Sequence, residues 1–251
     1  MAAKLSTHDV SKTFLVDGKP LAVLSDINLH VDPGEFVSII GPSGCGKSTL
    51  FHILSGIESE TGGKIFFDGK EENSRRGKSG YMFQDALLLP WRSVLDNLIL
   101  GMDVLGISKE ESRRKALELL ETFSLSQFRD AYPYVLSGGM KQRVALLRTI
   151  MFREDFLLLD EPFGALDALT RFSCQLWLLD VWQKCKSSVL FITHDISEAI
   201  LLSNRIYVMS GSPGRILKEV RVDLLYPRKK DFLTSSKAVE LEKKLYSLLV
   251  G

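Results

Sequence analysis

Phe36-Val37-Ser38-Ile39-Ile40-Gly41-Pro42-Ser43-Gly44-Cys45-Gly46-Lys47-Ser48-Thr49 is the stretch that decides the fold. Its first five residues are nearly all apolar, which predicts a strand covered on both faces. The next eight, Gly41 to Ser48, fit G-x-x-x-x-G-K-[ST] at every fixed position, and Lys47 to Leu54 reads as a helix. Each residue type has a chemical reason to be there. Glycines let the backbone curl so that successive N–H groups point inward at phosphate oxygens. The helix N-terminus adds partial positive charge at the same spot. Lys47 is placed to reach the β- and γ-phosphates of a nucleotide, and the Ser48 hydroxyl to ligate Mg²⁺.

Working outward, Ile27, Leu29 and Val31 alternate with Asp26, Asn28 and His30, a half-buried antiparallel pattern that Pro33-Gly34 breaks. Beyond the helix, Gly62-Gly63 turns into a strand from Lys64 to Phe67, closed by Asp68-Gly69. The middle of the chain reads as helical. Ser108-x-x-Glu111 has capping-box spacing, and Ala116, Leu120 and Phe123 recur on one face. The last third alternates again. A strand from Phe156 to Leu159 precedes a helix over about Leu169 to Lys184. A strand from Val189 to Thr193 precedes the helix start Asp195-x-x-Glu198, and Ile206 to Met209 ends at Gly211-Ser212-Pro213-Gly214. From Ser235, residues Ala238, Leu241, Leu245, Leu248 and Leu249 predict an amphipathic helix that needs a surface to lie on. Strands alternating with helices predict an α/β fold. It carries a small N-terminal antiparallel β element and an inserted helical block over about 91–152.

Phe156-Leu157-Leu158-Leu159-Asp160-Glu161 gains meaning beside the phosphate loop. Acids at the carboxyl ends of parallel strands lie where open sheets bind ligands. Asp160 is expected near the metal, directly or through water, and Glu161 is placed to polarise an attacking water.

Composition narrows the field. The 251 residues are 45% apolar and 25% charged, which excludes disordered, collagenous and disulfide-built classes. Lys plus Arg number 32 against 31 Asp plus Glu, and this balance argues against a nucleic-acid partner. Cys45, Cys174 and Cys185 form no C-x-x-C pair and fit a reducing cytosol. The start from Met1 to Val10 lacks the apolar core of a secretory signal. No run approaches the roughly 18 apolar residues of a membrane span.

Leu136-Ser137-Gly138-Gly139-Met140-Lys141-Gln142-Arg143, leading into a helix predicted from Met140 to Phe152, closely resembles the signature of ATP-binding cassette (ABC) ATPases. The family usually has Gln where Met140 stands; Ser137, Gly138 and Gly139 are intact. Other elements appear in family order. Gln84 in Tyr81-Met82-Phe83-Gln84-Asp85 is similar to the glutamine that senses Mg²⁺ and nucleotide. Ala165-Leu166-Asp167 is similar to the segment that crosses the dimer interface, His194 to the switch histidine at the γ-phosphate, and Phe14 to the aromatic that stacks on adenine. The resemblance covers about Leu5 to Leu225. It implies a P-loop NTPase core of ABC ATPase type over residues 1–225, followed by an amphipathic helical tail over 226–251.

Within the family, Leu87-Leu88-Leu89-Pro90-Trp91-Arg92-Ser93-Val94-Leu95-Asp96-Asn97, the run from Asp160 to Arg171 and the run from Ser210 to Ile216 resemble nitrate/sulfonate/taurine-type import ATPases. That resemblance implies a cytoplasmic Mg²⁺-dependent ATPase, peripheral on the inner face of the cell membrane. It implies a homodimer closed through ATP, with Ser137, Gly138 and Gly139 contacting the nucleotide of the opposite subunit. It also implies permease subunits held through Leu87 to Trp91, and an extracytoplasmic solute-binding protein in the complex. Two rivals fit less well. A nucleic-acid or ribosome remodeller would carry a second cassette or sustained heptads. A non-hydrolysing ATP-binding module would not need Lys47, Asp160, Glu161 and His194 together.

Overall fold

The computed structural model describes residues 2–153, 155–226, 228, 232 and 234–250. Residues 227, 229–231, 233 and 251 of the expected tail, and residues 1 and 154, lie outside the described ones. The chain divides into two compact units, one running to Ser79 and resuming at Ser187, the other from Gly80 to Lys186.

The first unit holds an antiparallel sheet in the order β2-β1-β4-β5, from β1 (Leu5–Val16), β2 (Lys19–Val31), β4 (Gly62–Phe67) and β5 (Lys70–Glu71). β1 is absent from the sequence reading because its alternation is interrupted. Asp9 takes a left-handed backbone (φ 52°), and the pairing with β2 shifts register between Thr7 and Val10 and again between Val10 and Lys12. Such bulges move every later side chain to the other phase of the pleat.

Beside it, β3 (Phe36–Ile40) runs parallel to both β8 (Ser188–Ile192) and β9 (Arg205–Met209), and β10 (Ile216–Arg221) closes antiparallel on β9. All five residues of β3, of β8 and of β9 are buried, the mark of strands covered on both faces. α1 (Lys47–Ser55) follows β3 and α7 (Ile196–Leu202) follows β8. α8 (Ser236–Val250) is the tail helix. Its Ala238 and Leu245 are buried in one cluster with Ala199, Ile200, Val208 and Val220, so α7, β9 and β10 supply the surface its apolar face needs.

The second unit has one parallel strand pair, β6 (Gly80–Met82) on β7 (Phe156–Asp160). Its helices are α2 (Val94–Leu98), α3 (Leu100–Val104), α4 (Lys109–Thr122), α5 (Gly138–Phe152) and α6 (Ala168–Cys185). The first starts at Val94 rather than near Trp91, because Ser93 caps it by accepting from the Asp96 N–H at 3.1 Å. Ser108 likewise accepts from the Glu111 N–H, and Ala116, Leu120 and Phe123 are buried. α5 starts two residues before the expected Met140. Ser137 Oγ accepts from the Met140 N–H at 3.3 Å, which makes Gly138 and Gly139 the first helical residues. Gly139 is buried, and a Cβ there would lie 2.6 Å from Thr170 Cγ2, so its missing side chain lets α5 meet α6. Among the described residues no helix is long and apolar enough to cross a membrane.

Candidate functional site

In the first unit the site begins where β3 ends. The loop from Gly41 to Gly46 turns back on itself, with Gly44 and Gly46 both left-handed (φ 75° and 95°). Gly46 occupies the cap position of α1, so no capping side chain competes there for the helix's first N–H groups. Lys47 reaches back over the loop. Its ammonium donates to the carbonyls of Gly41 and Pro42, each at 2.9 Å, with Cys45 Sγ at 3.8 Å, and the residue is only 6% exposed. The loop thus concentrates a buried cation and a helix N-terminus in one place, the electrostatics an anion requires. Ser48 is exposed and Thr49 half-buried on the first turn.

His194 lies at the same edge. β8 is in register with β3 (Ile39 opposite Ile192), and the Thr193 N–H donates to Ile39 O at 3.2 Å. His194 is exposed between buried Thr193 and the cap of α7, where Asp195 Oδ1 accepts from the Glu198 N–H at 3.1 Å. Lys47 and His194 therefore sit at the carboxyl ends of adjacent parallel strands, where open sheets bind ligands. Phe14 lies in the antiparallel sheet, opposite Leu21 of β2. Leu24, three residues along β2, abuts the loop at Gly46, so Phe14 stands about 10 Å along the strand from it. Phe14 is half-buried, with the Lys12 ammonium 4.6 Å from its ring centroid. Lys12 is itself held by Glu58 Oε1 at 2.8 Å and Ser59 O at 2.6 Å.

The loop between β9 and β10 backs the phosphate loop. Gly214 donates to Val23 O at 2.8 Å and accepts from the Ser25 N–H at 3.0 Å. A Cβ on Gly214 would come within 2.1 Å of Cys45 O. Gly214→Ala should therefore push the phosphate loop out of shape, an overpacking cost of about 1–3 kcal/mol. The expected result is ATP affinity weakened about tenfold, with a lower melting temperature. Titration of a fluorescent ATP analogue measures the first. Unchanged affinity would show that the loop tolerates the displacement.

In the second unit, Asp160 ends β7 and is 6% exposed. It accepts from the Tyr81 hydroxyl at 3.2 Å, across the β6–β7 pair. Burial first, and the Asp160 charge second, raise the Tyr81 pKa, so the phenol stays protonated and donating. Glu161 follows with a left-handed backbone (φ 43°), costly for a residue with a side chain and frequent at functional sites. Its carbonyl accepts from the Gly164 N–H at 3.1 Å. A Cβ on Gly164 would lie 3.6 Å from Gln84 Nε2 and 3.8 Å from Glu161 Oε2, so these two side-chain ends converge above Gly164. Asp167 caps α6 through the N–H groups of Leu169 and Thr170. Hydrogen bonds from Thr170 and Leu169 hold its carboxyl below the usual range.

Three residues that the sequence reading gave no role organise this half. Gln142 Nε2 donates to Gln84 O at 3.1 Å. Arg148 donates to Ala86 O and Leu87 O, each at 2.7 Å, and burial lowers its pKa. α5 thus carries the Ser137 turn at its start and grips the Gln84 loop along its length. Asn97, fully buried, accepts from the Leu89 N–H at 2.8 Å and donates to the carbonyls of Leu89, Arg92 and Ser93. It locks the loop that presents Leu87 and Trp91 to solvent. Polar side chains bonding to a non-adjacent backbone leave no periodic trace, and only the polar residues set into mostly apolar α5 hinted at them.

Ser48, Gln84 and Asp160 offer hydroxyl, amide and carboxylate oxygens, a donor set that suits a hard cation such as Mg²⁺. Among the described residues no group of three or more His, Cys, Asp or Glu could hold a metal by itself.

A phosphate loop at one strand end and an acidic pair at another define a P-loop nucleotide hydrolase. Comparison with known proteins specifies the class. A family model described as ABC transporter matches residues 24–164. The aliphatic sulfonates import ATP-binding protein SsuB of Bacillus cereus is 43% identical over 241 residues, 96% of this chain and 94% of that protein. The taurine import ATP-binding protein TauB of Pseudomonas aeruginosa is 41% identical over 221 residues, 88% and 84% respectively. The dimeric structure of an ATP-binding cassette in a post-hydrolysis state, bound to ADP and Pi, superposes with a TM-score of 0.74 at 31% identity, covering 88% of this chain and all of that one. The chain belongs to the ABC transporter family and is an ATPase of that family.

Proposed function

We propose that this chain is the ATP-hydrolysing subunit of an importer for a small solute of the nitrate, sulfonate and taurine class, resident on the inner face of the cell membrane. The relatives' sulfonate and taurine import names support the solute class. The ATPase domain spans residues 1–225 and is followed by the tail. In this reading the Gly41–Thr49 loop wraps the phosphates, Lys47 neutralises the β- and γ-oxygens, and Phe14 stacks on adenine. Ser48, Gln84 and Asp160 would hold Mg²⁺, which would supply charge neutralisation on the phosphates. Glu161 takes the proton of the attacking water. His194 contacts the γ-phosphate. The Ser137, Gly138 and Gly139 turn, Ser137 and Gly138 exposed at the start of α5, meets the nucleotide of a second copy. Closing on ATP and opening after hydrolysis drives permease subunits fed by an extracytoplasmic solute-binding protein.

The observation that carries the permease partner is Trp91, 72% exposed on the loop that Asn97 locks. Leu87 is exposed beside it and Leu88 and Leu89 are half-buried. A large apolar side chain presented to water from a hydrogen-bonded loop is an anchor waiting for a surface. Trp91→Ala should leave the melting temperature of the isolated subunit unchanged and weaken permease capture by about 2 kcal/mol, roughly thirtyfold. Thermal unfolding and a pull-down with the permease decide it. Full permease affinity in a folded variant would remove Trp91 from the interface, and unfolding would make it a core residue.

A further inference from the structure

α7 is a helix of seven residues that begins two residues after His194, too short to be stable on its own. Its last carbonyls have no partner within the helix. The tail satisfies them in succession. Arg228 Nη1 donates to Ile200 O at 2.6 Å, Leu201 O at 3.2 Å and Ser203 O at 2.7 Å. The Tyr226 hydroxyl donates to Leu202 O at 2.7 Å. Arg228 is 2% exposed. Its Nη2 donates to Leu224 O at 2.8 Å, and the guanidinium plane lies against the Tyr226 ring, 4.1 Å from the centroid. A cation at a helix C-terminus also complements the helix dipole. The tail holds α7 near its other end as well, where Ser197 Oγ donates to Glu242 Oε1 of α8 at 2.9 Å. Between these two grips, α8 packs Ala238 and Leu245 against Ala199 and Ile200.

We infer that Arg228 is a positioning residue for His194, and that the tail fixes α7 as the rigid base from which His194 reaches the γ-phosphate. The inference rests on the reading of His194 as the phosphate contact. Arg228 lies at the far end of α7 and acts through the helix axis: were the C-terminal grip loosened, the helix would tilt or fray, and the cap at Asp195 would move His194 with it. Lysine keeps the charge but has no second nitrogen to hold Leu224 O while the first bonds the carbonyls at the end of α7.

The test is a double-mutant cycle on the full-length chain, reading kcat and KM for ATP separately, with melting temperatures alongside. Arg228→Lys is expected to lower kcat about fivefold with KM within about twofold, and to add almost nothing in a His194→Ala background, the coupling expected of residues acting as one unit. Glu242→Ala, at the half-buried end of the grip, should lower kcat by about twofold and lose that effect in the same background. It decides the matter alone should Arg228→Lys fail to fold. Losses of equal size with and without His194, or a lower melting temperature at unchanged kcat, would overturn the inference and leave the tail a structural brace. A His194→Ala variant with parental kcat would instead overturn the reading of His194 itself.

Discussion

Glu161→Gln should bind Mg-ATP as tightly as the parent and hydrolyse it about a hundredfold to ten-thousandfold more slowly, the range for losing a general base. The amide matches the carboxylate in size and imposes the same backbone requirement, so the left-handed turn at residue 161 is no more strained than before. The contact geometry above Gly164, where Gln84 Nε2 and Glu161 Oε2 converge, is also open to an amide. What is lost is a group able to accept a proton from water. With binding intact and turnover stalled, ATP should hold two copies together. Size-exclusion chromatography with Mg-ATP should show a dimer that the parent forms only transiently. Hydrolysis at the parental rate would remove Glu161 from the role of base.

Different stretches of the chain were legible in the sequence to different depths. The Gly41–Thr49 loop was readable because its function constrains residue type at fixed spacing, and its flanking strand and helix are local. The buried strands at Phe36, Phe156 and Val189 were readable for a related reason: a strand covered on both faces must be apolar throughout. β1 was hidden by its bulges at Asp9 and Lys12, which break a period of two. β10 was hidden by being an edge strand with one buried residue, Val220, in six, and β6 by being only three residues long. The amphipathic tail showed that a surface was needed but not which one. The grips on the Gln84 loop and on α7 escaped altogether. Gln142, Arg148 and Arg228 bond to backbone carbonyls remote in sequence, and a carbonyl carries no residue identity that a sequence pattern could register.

Lys47→Ala should nearly abolish ATP turnover. The ammonium is the one side-chain cation that the motif aims at the phosphates, and it is already drawn into the loop by the carbonyls of Gly41 and Pro42. In the proposed role it exchanges those carbonyls for phosphate oxygens on nucleotide binding, a charge-assisted contact in a nearly buried position. Deleting it leaves the phosphates facing the loop's N–H groups without the loop's own cation. Preorganised donors of this kind are each worth about a hundredfold to a thousandfold in rate, so the ATPase should fall by at least about a hundredfold. The fold should survive. Alanine is a better helix former than lysine at the start of α1, and the freed carbonyls lie in a loop whose Pro42, Ser43 and Gly44 are exposed to water. Lys47→Arg is the informative partner variant. It keeps the charge but replaces a compact ammonium with a wide planar fork, and should recover little activity if the loop selects a point charge. ATP binding, steady-state hydrolysis and thermal unfolding measured on both variants separate the cases. Normal turnover in a folded Lys47→Ala protein would refute the phosphate-loop assignment. Full recovery in Lys47→Arg would show that the loop needs only a positive charge, not the geometry of lysine.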